Sequence, residues 1–394
     1  MMIQAVLGNP NHPEYGVATI PFPIPHDQYA HCMELLEALE IGDAVKTDCK
    51  VEKVDSFYTV LKRTEMLTVN VEELNYLAKR LDSFDTGEAA QFQAMAHKLE
   101  LFKLKDIINL TFCCQQATVI TDFSDLAAIG RDHYMNLHGG SASVDELNAL
   151  DGKETARQLI ENGGGTITPY GVVYDNGMKL EPVYDGRFFP CYYYEPNAIT
   201  VAVTSKAEPE DTEHITWLFL PMIQEEVDRA LLRGGITDPA DARLRLEDSQ
   251  LPNEVDVLLD MEYETLFDLN ELAAATDGLS NADMEKLGAV VMLAKPKSAA
   301  QIKNLVESLD LFDFAPGAHT PQEYGKYMIQ QSGHFDYDEN LDAFYDYEKY
   351  GTERMNEEDG MFTDRGYIAY KGYTSMEEVM NSGQSSCMEM GGMM

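Results

Sequence analysis

Residues 74–82 read LNYLAKRLD and residues 269–277 read LNELAAATD, so Leu74, Asn75, Leu77, Ala78 and Asp82 recur 195 positions later as Leu269, Asn270, Leu272, Ala273 and Asp277. The same shift carries Ile41 and Asp43 onto Ile236 and Asp238, Asn109 and Leu110 onto Asn304 and Leu305, and Gly130-Arg131 onto Gly325-Lys326. Near the end of each half, Gly165, Thr168, Gly171 and Gly177 meet Gly360, Thr363, Gly366 and Gly372. Glycine marks unusual backbone conformations, so glycines matched at one offset imply the same turns in the same places. With a small length change, ATIPFPIPHDQYAHCMELL (18–36) falls beside TWLFLPMIQEEVDRALL (216–232). The chain is therefore expected to be a tandem duplication. The first unit is 1–195, with submodules about 1–60, 61–105 and 106–195. The second is 196–380, with submodules about 196–255, 256–300 and 301–380. A Gly/Ser/Met-rich tail, 381–394, is expected to be disordered.

Each unit opens on β-type segments, IQAVLG then GVATIPF in the first and AITVAVTS then HITWLFL in the second, for which an antiparallel pair is the simplest outcome. Helical patterns follow. EEVDRALL places Val227, Ala230 and Leu231 at i, i+3, i+4, and SNADMEKLGAVVMLAK sets Ser280 as cap with Asp283 three residues on. Ser298 with Gln301 repeats the device, and Thr320 with Pro321 and Glu323 predicts a third start closed by a capping box. GTITPYGVVYDNG and GMFTDRGYIAYKG each read as strand, turn, strand. The fold class is α+β, modular, with small antiparallel sheets alternating with short helical bundles, and no long parallel βαβ series.

Charge narrows the function. Sixty-eight Asp+Glu against 29 Lys+Arg give a formal net charge of −39, far above what solubility asks of a domain. Residues 1–195 hold 29 acids and 15 bases, net −14; residues 196–394 hold 39 acids and 14 bases, net −25. Such a field repels nucleic acid and anionic membranes and attracts basic surfaces. The partner is expected to be positive, with no direct nucleic acid binding and no membrane. The opening MMIQAVLGNP shows no signal-peptide pattern, the six cysteines show no CxxC spacing, and no apolar run nears the roughly 20 residues of a membrane span. A cytoplasmic setting is expected.

Motifs for chemistry are missing from the sequence. Nine histidines include no HExxH and no pair at i, i+4, and His133 and His138 suit packing or surface roles better than a metal site. ENGGGTITPYG lacks the GK[ST] of a phosphate loop, and DVLLDMEYETLFDLNE lacks the DxDxDG calcium pattern. No cofactor and no metal is expected, and no enzyme. A carboxylate-based enzyme would need one or two tuned acids, whereas these acids are spread over both halves. A merely solubilising acidic surface is the other rival, against which stand the 10% aromatics.

EYGKYMIQQSGHFDYDENLDAFYDYEKYGTERM (323–355) resembles the C-terminal part of the ArdA antirestriction family, in which a Y..Y.IEE.G helix leads to an aromatic and acidic NYIDYxxYGRDL-like segment. WLFLPMIQEEVDRAL resembles that family's early strand-to-helix passage, and EDSQLPNEVDVLLDMEYETLFDLNELA its acidic connection to a helical middle, so the likeness spans nearly all of 198–375. The resemblance implies an elongated, modular mimic of B-DNA whose carboxylates occupy the DNA-binding groove of type I restriction-modification enzymes. It carries over to Asp346 with Phe344, Tyr345, Tyr347, Tyr350 and Gly351, although Thr352 and Glu353 stand where the family tends to place Arg and Asp. The acids expected to face the partner are Asp336, Asp338, Glu339, Asp342, Asp346, Glu348, Glu353, Glu357, Glu358 and Asp359, together with Glu225, Glu226, Asp228, Asp256, Asp260, Glu262, Glu264 and Asp268. Asp346 is expected to cap a helix from Tyr347, with Glu348, Thr352 and Glu353 turned outward. In the first unit the counterpart is DELNALDGKETARQLI (145–160), with the aromatics gone. Family members work as homodimers, so the duplication implies an intramolecular pseudo-dimer or a homodimer. At one charge per ~1.7 Å, the net charge corresponds to roughly 65 Å of duplex, on the order of 20 base pairs. A decoy for another DNA-binding defence or regulatory complex is the alternative.

Overall fold

The computed structural model describes residues 3–194, 196–208 and 212–382; the tail expected at 381–394 lies outside them from residue 383 onward. Alternation builds the first sheet. Ile3–Gly8 (β1) buries Ile3, Ala5 and Leu7, and Val17–Phe22 (β2) buries Ala18, Ile20 and Phe22, one face of a period-2 element in each case. The two pair antiparallel from Ile3↔Phe22 to Gly8↔Val17, as the sequence implied. Helix α1 (Tyr29–Ala38) follows, then β3 (Cys49–Asp55) on the other side of β1 and the short β4 (Thr68–Val69), giving the order β2-β1-β3-β4.

Helices α2 (Val71–Asp82), α3 (Thr86–Lys98) and α4 (Leu104–Leu110) come next. The half closes with β5 (Thr118–Ile120), α5 (Leu126–Leu137), α6 (Val144–Ala149), α7 (Gly152–Asn162), β6 (Thr166–Thr168) and β7 (Gly171–Tyr174), its three strands ordered β5-β7-β6. The second half runs β8 (Ile199–Ser205), β9 (Thr216–Leu220), α8 (Gln224–Gly234), β10 (Ala242–Ser249), α9 (Asn253–Asp256), α10 (Leu266–Thr276), α11 (Asn281–Ala294) and α12 (Ala299–Val306). It ends in β11 (Phe312–Pro316), α13 (Pro321–Gln330), α14 (Tyr347–Glu357), β12 (Asp359–Thr363), β13 (Gly366–Tyr370) and α15 (Met376–Met380). Its sheets are ordered β10-β8-β9 and β11-β13-β12.

The two halves share an internal plan. The starts of α2, α3, α4, α5 and α7 (71, 86, 104, 126, 152) each return 195 residues later as α10, α11, α12, α13 and α14 (266, 281, 299, 321, 347). The recurring asparagines do the same work in each. Asn75 Oδ1 accepts the Ile24 N–H at 2.9 Å and Asn270 Oδ1 the Met222 N–H at 2.8 Å; Asn109 Nδ2 donates to Tyr184 O and Asn304 Nδ2 to Met380 O. Each satisfies a peptide group in a loop or, for Met380, at the C-terminal end of a helix, where no ladder partner is at hand. Helix caps behave as the spacing predicts at Ser280, where both bonds of the box form, and at Ser298, which accepts from the Gln301 N–H. At Thr320 the side chain accepts from the Glu323 N–H, but the Glu323 carboxylate reaches one residue further back, to the His319 N–H at 2.8 Å. Matched glycines imply turns, but Gly130 and Gly325 are not turn residues. They lie inside α5 and α13, where a Cβ would stand 1.8 Å from Gly152 O and 2.0 Å from Tyr347 O, so they let paired helices touch backbone to backbone.

Two compact units divide the chain, Met1–Glu195 with Thr212–Thr216 and Ile223–Thr237, and Pro196–Asp211 with Trp217–Met222 and Asp238–Met394. Helix α8 thus belongs to the first unit, although it lies in the second half of the sequence. Arginines hold it there. Arg229 Nε donates to Glu72 at 2.6 Å and its Nη2 to Gly42 O at 2.7 Å. Arg233 is buried. It donates to Arg187 O, Ala44 O, Asn70 Oδ1 and Tyr184 OH, lies 3.9 Å from Glu73, and stacks 4.3 Å from the Phe189 ring centroid. A guanidinium saturated in this way avoids the heavy penalty of an unpaired buried charge. The first unit's main core runs through β1–β3, α1–α4 and Tyr184, with Phe22, Tyr58 and Phe92 fully enclosed. In the second unit Tyr324, Met328, Tyr367 and Ala369 form a cluster against which Tyr350 and Phe362 pack.

Candidate functional site

The acid-rich stretch 336–359 sits on a scaffold of three pieces: α13, a 3-10 turn at Glu339–Phe344, and α14. Asp346 caps α14 as its position predicts, accepting from the Lys349 N–H at 3.1 Å. A carboxylate there also faces the positive end of the helix dipole. One face of α14 turns inward through Gly351, with Tyr347, Tyr350 and Arg354 half-buried; Glu348, Thr352, Glu353 and Glu357 are exposed. Gly351 is buried because α13 crosses there: a Cβ would fall 1.9 Å from Pro321 O.

The aromatics of this stretch mostly hold the scaffold. Tyr345 lies between Tyr337 and Tyr347, at 6.0 and 5.8 Å between ring centroids, and Tyr350 meets Phe335 edge to face at 5.8 Å. Phe344 does not pack; it is 83% exposed. Asp342 is the hub of the turn, accepting hydrogen bonds from Tyr347 OH, from Tyr337 OH at 2.7 Å and from Gln330 Nε2 at 2.8 Å. These donors, Tyr347 first and then Tyr337, hold its carboxyl below the usual carboxylate range, and the bond to Asp342 raises the Tyr337 phenol. Asp342→Ala is expected to loosen the turn without unfolding the unit. Backbone amides of residues 337–346 should exchange at least about tenfold faster, while those of α13 stay protected; unchanged protection would show that Asp342 does not organise the turn.

The eighteen acids singled out in the sequence divide by duty. Asp336, Asp338, Glu339, Asp342, Asp346, Glu348, Glu353, Glu357 and Asp359 are exposed along one continuous stretch, with Asp338 also accepting from the Asn340 N–H. Glu358 is half-buried and works inward, accepting from Tyr324 OH at 2.6 Å and pairing with Arg354. Around α10, Asp260 and Glu262 are exposed, and Asp268 accepts from the Thr265 hydroxyl that caps the helix. Glu264 binds the Ala299 N–H with both oxygens at 3.1 Å, at the start of α12, and burial pushes its carboxyl up. Asp256 is also raised by burial, and its Oδ1 is enclosed. Glu225, Glu226 and Asp228 lie on α8 and belong to the first unit.

His133 bonds Thr118 Oγ1 at 2.9 Å, and His138 stacks on Tyr134 at 4.1 Å. Among the described residues no three His, Cys, Asp or Glu side chains group to hold a metal ion, and no helix is long and apolar enough to cross a membrane. Two ion pairs with no local sequence signal fix this region. Arg365 clasps Glu254 through Nε and Nη2 at 2.7 and 2.8 Å, and Lys371 meets Asp313 at 2.7 Å. The partners are far apart in sequence: the β12–β13 turn meets α9 at Arg365 and Glu254, and the pairing of β11 with β13 brings Asp313 to Lys371.

The family model described as "Antirestriction protein (ArdA)" matches residues 212–369. The match runs from just before β9 into β13 and contains every one of the eighteen acids; the first half lies outside it. No curated protein matches the chain.

Proposed function

From the ArdA-type antirestriction segment of its second half, we propose that this protein blocks type I restriction-modification enzymes by occupying their DNA-binding groove, with carboxylates standing where duplex phosphates would lie. The observation that carries this reading is the row of exposed acids at 336–359 on a scaffold fixed by a cap, a helix crossing and a tyrosine-bound aspartate. A phosphate mimic needs its charges spaced and held, since mobile carboxylates would lose ordering entropy on binding. No covalent step is involved: the effect is competitive exclusion of DNA. The recurrence of helix starts and asparagine bonds at 195 residues supports a tandem duplication, with the acidic, aromatic version kept in the second copy. The pair would act as a pseudo-dimer in one chain.

Plating unmodified phage on a type I restricting host tests the reading. Cells that make the protein are expected to lose restriction, and a host that restricts equally with and without it would refute the proposal. Binding to the purified enzyme should weaken about tenfold or more between ~50 and ~200 mM salt, because the contact is between screened charges. A salt-independent affinity measured by calorimetry would point instead to an apolar interface. Inhibition of another DNA-binding defence complex, with the type I enzyme untouched, would favour the decoy alternative.

A further inference from the structure

The passage from the end of α9 through the connecting turn to the first turn of α10 carries exposed apolar residues unlike the acid row on α14. Val257, Tyr263 and Phe267 are 85, 79 and 63% exposed within eleven residues, among Asp256, Asp260, Glu262, Glu264 and Asp268. The first unit shows what the equivalent turn of α2 accepts. Glu72 and Glu73 stand at the second and third positions of α2, as Phe267 and Asp268 do in α10, and Asn70 caps α2 as Thr265 caps α10. On that turn α8 docks, with Arg229 on Glu72 and Arg233 on Asn70 beside Glu73, one helical turn apart. We propose that the surface formed by Val257, Tyr263 and Phe267 is a docking face for a helix of a basic partner protein that carries two arginines at i and i+4.

The chemistry is complementary in both of its components. Tyrosine and phenylalanine faces attract guanidinium groups and cover the aliphatic parts of a helix, as the Phe189 ring does for Arg233. Asp260, Glu262 and Asp268 supply the charge that Glu72 and Glu73 supply in the first unit. Large aromatics on an acidic surface are the residues from which interface anchors are drawn. The face is proposed on the premise that the partner is a basic protein, but it is separate from the acids of α14, so the two can fail independently.

The test uses the full chain and a fluorescein-labelled peptide of residues 223–237 in which Glu225, Glu226 and Asp228 are changed to Gln, Gln and Asn. Anisotropy is expected to show saturable, salt-sensitive binding that weakens at least tenfold for Tyr263→Ala/Phe267→Ala, and equally when both arginines of the peptide become alanine. Because both protein positions are exposed, the fold should not change, which circular dichroism checks; Val257→Ser gives a second, milder probe of the same face. Charge reversal on α14 should leave the titration unmoved even where it abolishes antirestriction. Binding that persists in the double variant, or no saturable binding at all, would overturn the proposal. So would a concentration-dependent dimer that the double variant dissolves, since a second copy would then be the occupant.

Discussion

Changing Glu348, Glu353 and Glu357 together to lysine is expected to abolish antirestriction while leaving the protein folded. All three are exposed on α14. Reversing them changes the local charge by six units on the face proposed to enter a basic groove. Close interfacial charge pairs couple by about 1.5 kcal/mol or more each, so the triple reversal should cost about 4 kcal/mol, roughly a thousandfold in affinity. In phage plating, restriction of unmodified DNA should return to the level of a host without the protein. A matched reversal of Asp145 on α6 and of Glu154 and Glu161 on α7, all exposed, should have little effect. If the two triples acted alike, the overall field rather than this surface would govern inhibition, and the assignment to α14 would fall.

The second large effect is on stability. Gly351→Ala should destabilise the second unit by about 3 kcal/mol or more, because the added Cβ meets the Pro321 carbonyl oxygen at 1.9 Å, and backbone cannot swing aside as a side chain can. For a unit of this size that is a fall in Tm of roughly 6–12 °C. Thr352→Ala, next along the helix and exposed, is the control and should move stability by no more than about 0.5 kcal/mol. Calorimetry that found Gly351→Ala neutral would mean that α13 and α14 do not touch through their backbones. Because the same crossing sets the spacing of the acids on α14, inhibition should weaken with it.

Local signals explain what was legible in the sequence. Ser280, Ser298, Thr320 and Asp346 start their helices where their spacing with the residues that follow says they should, since capping is a contact between near neighbours. The recurrence of Asn75 and Asn109 at 270 and 304 has a physical reason, since each ties down a peptide group, in a loop or at a helix end, that needs a partner. Long-range matters were hidden. Nothing in QEEVDRALLRG says that Arg229 and Arg233 will bind residues more than 150 positions earlier. Likewise, a glycine read from its letter alone suggests a turn, whereas Gly325 serves a helix crossing visible only once α14 is in place. Among the acids, sequence could not separate Glu264 and Glu358, which satisfy donors inside the fold, from Glu348 and Glu353, which face outward.

The allocation of α8 to the first unit matters for anyone who would take this protein apart. A cut at residue 195 would yield a first fragment with Glu73 and Tyr184 enclosed but without the Arg233 guanidinium that meets them, and a second whose leading helix has lost its socket. The smallest piece with its buried charges paired has to keep residues 223–237, which in chain order fall between segments of the other unit. The halves of the sequence and the folded units are out of step by one helix, so a fragment cut at residue 195 is expected to be less stable than one that keeps residues 223–237.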